Sequence, residues 1–285
     1  MKHREIEAII KKRFEKLNTA FNQVGLHYEE NDIRLFRVKV KKLQACLLLM
    51  ECEKNHHKAI VLPSKIAKFY KVSGAIRAIQ LQEIHIRKIK AGANIMLPET
   101  YLAILSDKIL HLIGKASKLL STDKPFGKEE VELLGLLPHH LDTARIDKFI
   151  ASEGTKLKKL FAPVFPTDIS LHEVRKILKA LLYISPYLAI DIGTLLPYSL
   201  LSSTAQIDAL TAILGNFHDL NIAIDCLHTE CLALDIPEDE KALLRNIECQ
   251  WIEGRTAMHE KIYDQLTKIN ASLVPVESLV KWPVM

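Results

Sequence analysis

The sequence predicts an all-α protein, and three observations carry that prediction. Apolar residues recur at helical spacing along nearly the whole chain, while the strict alternation of half-buried strands bounded by Gly or Asn is missing. Glycine (10) and proline (11) are scarce among 285 residues, so the punctuation that short strands and tight turns need is thin. Two basic helical segments also recur in the same order in the two halves of the chain, which points to a duplicated helical unit.

Helices are expected at 2–24, 31–53, 60–91, 97–120, 128–135, 142–160, 168–185, 188–196, 202–233 and 237–270. The opening "MKHREIEAIIKKRFEKLN" spreads charge throughout and has no apolar stretch of the secretory kind, so no signal peptide is expected. In the second helix, "IRLFRVKVKKLQACLL" (33–48), Phe36, Val40, Leu43 and Leu47 form one face and Arg34, Arg37 and Lys41 the other. "KNHHKA" (54–59) is a connector, and "YKVSGAIRAIQL" (70–81) continues helically through Gly74. "STDKPFG" (121–127) and "APVFPTD" (162–168) are further connectors; in the latter Pro166 stops one helix, and Thr167 or Asp168 caps the next. In "SLHEVRKILKALLYI" (170–184), Val174, Ile177, Leu178 and Leu181 gather opposite His172, Arg175 and Lys179, with Tyr183 on the same line as the basic residues. The stretch 181–201 is long and apolar, but Asp191, Gly193, Pro186 and Pro197 break a spanning helix, so two core segments with a bent junction are expected. "TAILGNFHDLNI" (211–222) repeats the glycine-containing helix, and the tail "SLVPVESLVKWPVM" reads as a loose or docked end.

The repeat aligns Arg37 with Arg175 and Lys41 with Lys179, with Arg34 in the place of His172. It also aligns Gly74 with Gly215, Arg77 with His218 and Ala78 with Asp219. The halves are placed at 1–135 and 136–285, together one domain. A solvated helix face usually mixes signs, because acid–base pairs at i,i+4 stabilise it. These two stripes lack such carboxylates. Cations about 6 Å apart at an effective dielectric near 20 repel by roughly 2–3 kcal/mol per neighbouring pair, less when salt screens them. A cost repeated in both halves points to a polyanion that offsets it. Arginine suits phosphate oxygens through its forked donors, lysine adds a point charge, and histidine donates from one or both ring nitrogens.

On these residues the chain resembles the CHAD domain family. That pattern carries two helices of the form H-x-x-R-x-x-x-K/R-K/R-L-K/R, each followed by a helix turn of the type LG-x-x-R/H-D. "HEVRKILKALLY" and "LGNFHDLN" match the second unit well, and "RLFRVKVKKLQ" with "SGAIRAIQ" matches the first more loosely. The resemblance implies two pseudo-symmetric helical bundles whose basic helices line a central groove or pore. It also implies binding of inorganic polyphosphate without catalysis or cofactor, by Arg34, Arg37, Lys41, Lys42, Arg77, His172, Arg175 and Lys179. No strand-rich segment accompanies the helices, so a stand-alone binder is expected, with polyphosphate granules among its settings. Gln44, Ala180 and Leu182 stand where the pattern carries basic residues, and Ala78 where it carries an acid, so the groove is expected to be less charged than is usual.

Other features are read more plainly. "HIRKIK" (85–90), "TKLKKL" (155–160) and "KKRFEK" are surface runs that could extend an anion path. Gly74 and Gly215 are explained by close approach of two helices. His218-Asp219 raises the rival reading of an HD-type metal-dependent phosphohydrolase, which would need His172, Asp225 or other ligands to converge. The "HH" pairs at 56–57 and 139–140 and "CLHTEC" (226–231) lack the ligand spacing of a closed zinc site. Five cysteines without a CxxC pair suggest free thiols in a reducing compartment, so a cytoplasmic protein without a membrane span is expected. A net charge of +5 is too mild to assign a partner, and the aromatic residues that would stack nucleic-acid bases are not interleaved with the basic stripes.

Overall fold

The structure, a computed structural model, describes residues 1–53, 59–92, 97–118, 125–162, 166–188, 191–233 and 235–273. The described residues are helical, without a strand: α1 (His3–His27), α2 (Glu30–Glu51), α3 (Ser64–Gly92), α4 (Glu99–Ser117), α5 (Gly127–Leu134), α6 (Thr143–Phe161), α7 (Asp168–Leu188), α8 (Thr204–Ala233) and α9 (Glu238–Ala271). The "HH" at 56–57, most of the 54–59 and 121–127 connectors and the tail beyond 273 lie outside the described residues. No helix of the described residues is long and apolar enough to cross a membrane.

Helical spacing of apolar residues accounts for the elements. On α1, Ile6, Ile10, Phe14, Leu17, Phe21 and Val24 are buried, one per turn. The helix stops at Tyr28, whose φ of 53° is left-handed and whose N–H donates to Val24 O. That turn is held from α3, where Gln80 Nε2 donates to Tyr28 O at 3.1 Å. The start of α7 follows expectation, since Thr167 Oγ1 accepts from the Ser170 N–H at 3.2 Å.

One element differs. The helix expected at 188–196 is replaced by the end of α7 and two short 3₁₀ turns, Ile192–Leu195 and Ser199–Leu201. Asp191 caps the first turn by accepting from Gly193 N, and it also accepts from Thr204 N and Oγ1 at the start of α8. A Cβ on Gly193 would collide with the backbone of Ser202 and Ser203, so the chain folds back too tightly there for an α-helix to continue.

Four helices close a ring: α2 packs on α3 and α7, and α8 packs on α7 and α3. Outside it, α1 packs on α2, α4 on α3, α6 on α7 and α9 on α8. The larger apolar core draws on both halves of the chain, with Phe36, Phe69 and Phe126 packed around Phe21 and with Val174, Leu178, Leu181 and Phe217 contributing from α7 and α8. A second core joins Ile86, Tyr101 and Leu105 of α3 and α4 to Leu227, Leu244 and Trp251 of α8 and α9. Thus α3 and α8 each run from one core to the other, and α2 and α7, which carry the ring's basic stripes, pack between them in the larger core.

Candidate anion-binding site

The apolar faces of two helices aim the cations. Phe36, Val40, Leu43 and Leu47 are buried on α2, which leaves Arg37 and Lys41 one turn apart on another face. Leu171, Val174, Leu178 and Leu181 do the same on α7 for His172, Arg175 and Lys179. Because α2 packs on α7, the two basic faces share one junction, and α3 and α8 supply its other walls.

Each arginine head crosses a glycine of a neighbouring helix. Arg37 Nη1 donates to Tyr70 O at 2.8 Å, and its guanidinium lies 4.3 Å from the Tyr70 ring centre. The head crosses α3 at Gly74, where a Cβ would come within 2.6 Å of Arg37 Nη1. Across the ring, Arg175 crosses α8 at Gly215, where a Cβ would lie 3.3 Å from its Nε. The two glycines therefore make room for arginine heads, a more specific role than the close helix approach expected of them. Arg175 Nε is buried and has no hydrogen-bond partner among the described residues.

Lys41 sits among these charges. Burial pushes its pKa down from 10.5 to about 8, helped by Arg175, Arg37 and Lys179 and opposed by Asp219. At neutral pH it still carries its proton. Burial likewise lowers the Arg37 pKa, with Arg77 adding to the effect and Tyr70 and Asp219 opposing it. The rings of His172 and His218 stack at 4.2 Å with a tilt of 36°. Burial holds His218 down to about 4, aided by His172, Arg175 and Lys41, so that ring is neutral at pH 7. Burial lowers His172 as well, ahead of Lys176 and Arg175, and its Nδ1 is buried without a partner among the described residues.

The remaining expected residues fall outside this centre or are already paired. Lys179 Nζ bonds Asp208 Oδ1 at 2.9 Å, and Arg77 is bonded to Glu30. Arg34 is exposed in the first turns of α2 and donates to Asn31 Oδ1 at 2.8 Å. Lys42 Nζ lies 5.4 Å from the centre of the Tyr183 ring on α7. So Arg37, Lys41, His172, Arg175 and Lys179 come together, Arg77 reaches the edge as an ion pair, Lys42 lies beside the centre on its Lys179 side, and Arg34 is exposed away from it.

Several contributors were not foreseen. Tyr70 supplies both a ring and a carbonyl to Arg37, and Asp208 and Glu30 neutralise two of the cations from other helices. Their sequence signal is weak, because the contacts are long-range. For Tyr70 the available hint is its place one turn before Gly74. Among the described residues, no group of three or more His, Cys, Asp or Glu is placed to hold a metal ion.

This is an all-helical domain that concentrates like charges at a junction of four helices. The chain belongs to the CHAD domain family, whose sequence model matches residues 8–228, from within α1 to within α8. No curated protein and no solved structure matches the chain significantly.

Proposed function

We propose that the junction binds inorganic polyphosphate, free or in granules, through Arg37, Lys41, Arg175 and Lys179, with His172 beside them and no chemistry performed on the ligand. The carrying observation is that Arg37, Lys41 and Arg175 are held together half-buried, with the Lys41 pKa pushed down to about 8 by burial and further by its cationic neighbours. A fold that keeps three such cations together tolerates repulsion that a bound polyanion relieves. The orphaned Arg175 Nε adds a donor suited to a phosphate oxygen.

The two-bundle reading draws support from the packing pattern. The succession α1–α2–α3–α4 recurs as α6–α7–α8–α9, each helix packing on the next, and the middle helices of the two sets meet α2 to α7 and α3 to α8. Arg37 over Gly74 and Arg175 over Gly215 occupy matching places in the two sets. In this reading the halves 1–135 and 136–285 form one domain with a basic groove between them, in a cytoplasmic protein.

The phosphohydrolase alternative has less behind it. Its two histidines face each other ring to ring, and the described residues offer no three-ligand group. Calorimetric titration with long-chain polyphosphate and with single-stranded DNA, each at several salt concentrations, tests the proposal. Binding of polyphosphate that weakens steeply with salt, and is tighter than binding of DNA, is expected. Equal affinity for both reduces the protein to a general polyanion binder, and no binding at low salt refutes the reading.

A further inference from the structure

We propose that Arg13, Lys16, Lys39 and Lys42 form a second phosphate-binding patch, joined to the junction through Lys179, which takes up the overhang of a long polyphosphate chain. This inference rests on the function proposed above and extends it from Lys42, which the family resemblance already implies, to Arg13, Lys16 and Lys39.

The patch is assembled from α1 and α2 and backed by α7. Lys42 follows Lys41 directly, so it lies about 100° further round the helix, and the charges acting on it are Arg13, Lys39, Lys16 and Lys179. All of these, after burial, push the Lys42 pKa down, and no carboxylate is among the groups opposing them. That contrasts with Lys41, for which Asp219 offsets part of the repulsion. Lys179 acts on both lysines, so the two groups of charge adjoin. Its partner Asp208 is exposed, and an incoming phosphate competes with it for Lys179.

Two tyrosines of α7 hold the heads of the patch. Lys42 Nζ lies 5.4 Å from the Tyr183 ring centre, and Arg13 Cζ lies 5.1 Å from that of Tyr187. Arg13 Nε is buried without a hydrogen-bond partner among the described residues, while the guanidinium also bonds the buried Cys46 side chain, which fixes the head beside Tyr187. Cations already cover one face of each ring, which leaves those faces unable to stack on bases and favours a ligand made of phosphates. The patch ends at a cleft of about 490 Å³ between α1 and α2, where Lys16 and Lys39 are joined by Glu15 and Asp32. Those acids repel a polyanion and set the limit of the track.

The test compares long-chain polyphosphate with tripolyphosphate on wild type, on Arg13→Ala/Lys42→Ala and on Lys16→Glu. Lys16 is exposed, so its replacement leaves folding intact even if the double variant is less stable. Thermal unfolding confirms that each variant is folded. The expected result is a loss of about tenfold or more for the long chain, with tripolyphosphate affinity changed by less than about twofold, because the short ligand is satisfied at the junction. Unchanged affinity for the long chain overturns the inference and leaves the junction as the whole site. Parallel losses for both ligands also overturn it. Wild type that binds neither ligand refutes the functional reading and this inference with it.

Discussion

Replacing Lys41 by methionine should stabilise the unliganded protein while weakening its ligand binding. The side chain keeps its length and apolar stem but loses the charge that the junction disfavours. Lys41 is shifted from 10.5 to about 8. At about 1.4 kcal/mol per unit, the charged form costs the folded state on the order of 3 kcal/mol. Partial solvent access screens some of this, and methionine forfeits the attraction of Asp219, so a net gain of about 1–2 kcal/mol is expected. The sign follows from linkage. The folded pKa is below the unfolded one, so the penalty is complete below about pH 8 and fades as pH rises from 8 toward 10.5. Urea unfolding of both proteins at pH 7 and pH 10 measures this. Lys41→Met should be the more stable at pH 7, with most of the gap closed at pH 10. A variant that is less stable at pH 7, or a gap equal at the two pH values, would refute the reasoning. Polyphosphate affinity of the same variant should fall by about tenfold or more, the worth of one charge-assisted hydrogen bond.

Gly74→Ala should leave thermal stability near or above the wild-type value, since alanine favours a helix by about 1 kcal/mol and the obstructing atom is the movable end of Arg37. It should nevertheless displace that head and weaken polyphosphate binding, more than Gly215→Ala does, where the contact is 3.3 Å rather than 2.6 Å. In an Arg37→Ala background, calorimetry should show no further loss from Gly74→Ala. The histidines predict a pH response. His218 is held at about 4 against an ordinary 6.5, so the stability tied to its neutral form is complete above about pH 6.5 and is lost as pH falls toward 4. A bound polyanion favours protonated rings, so affinity should rise as pH drops from 7 to 5, with proton uptake visible in buffers of different ionisation enthalpy. His218→Asn should flatten both trends, and an unchanged pH profile in that variant would count against the stacked pair as the titrating group.

The sequence revealed helices more readily than it revealed contacts. Apolar periodicity locates the nine α-helices of the described residues to within a few residues, because one buried residue per turn is a local property. It fails at 188–196, where chain reversal is decided by Asp191 reaching Thr204 and by the lack of room at Gly193. The duplication allows Arg37 and Gly74, and Arg175 and Gly215, to be aligned, but not the fact that each arginine lies across its glycine. Arg34 follows the stripe in register yet remains exposed, since position on a helix face does not say how far the neighbouring helix extends. The carboxylates that hold Lys179 and Arg77 come from other helices, so the stripes read alone overstate the unpaired charge.

The most direct test of the junction as a polyphosphate site is a titration of the Arg37→Ala/Arg175→Ala protein with long-chain polyphosphate beside wild type, at one fixed salt concentration. Each arginine should contribute about 1.5–3 kcal/mol, so the pair predicts a loss of roughly 100-fold or more while thermal unfolding shows the variant folded. Wild-type affinity in a folded double variant would contradict the account.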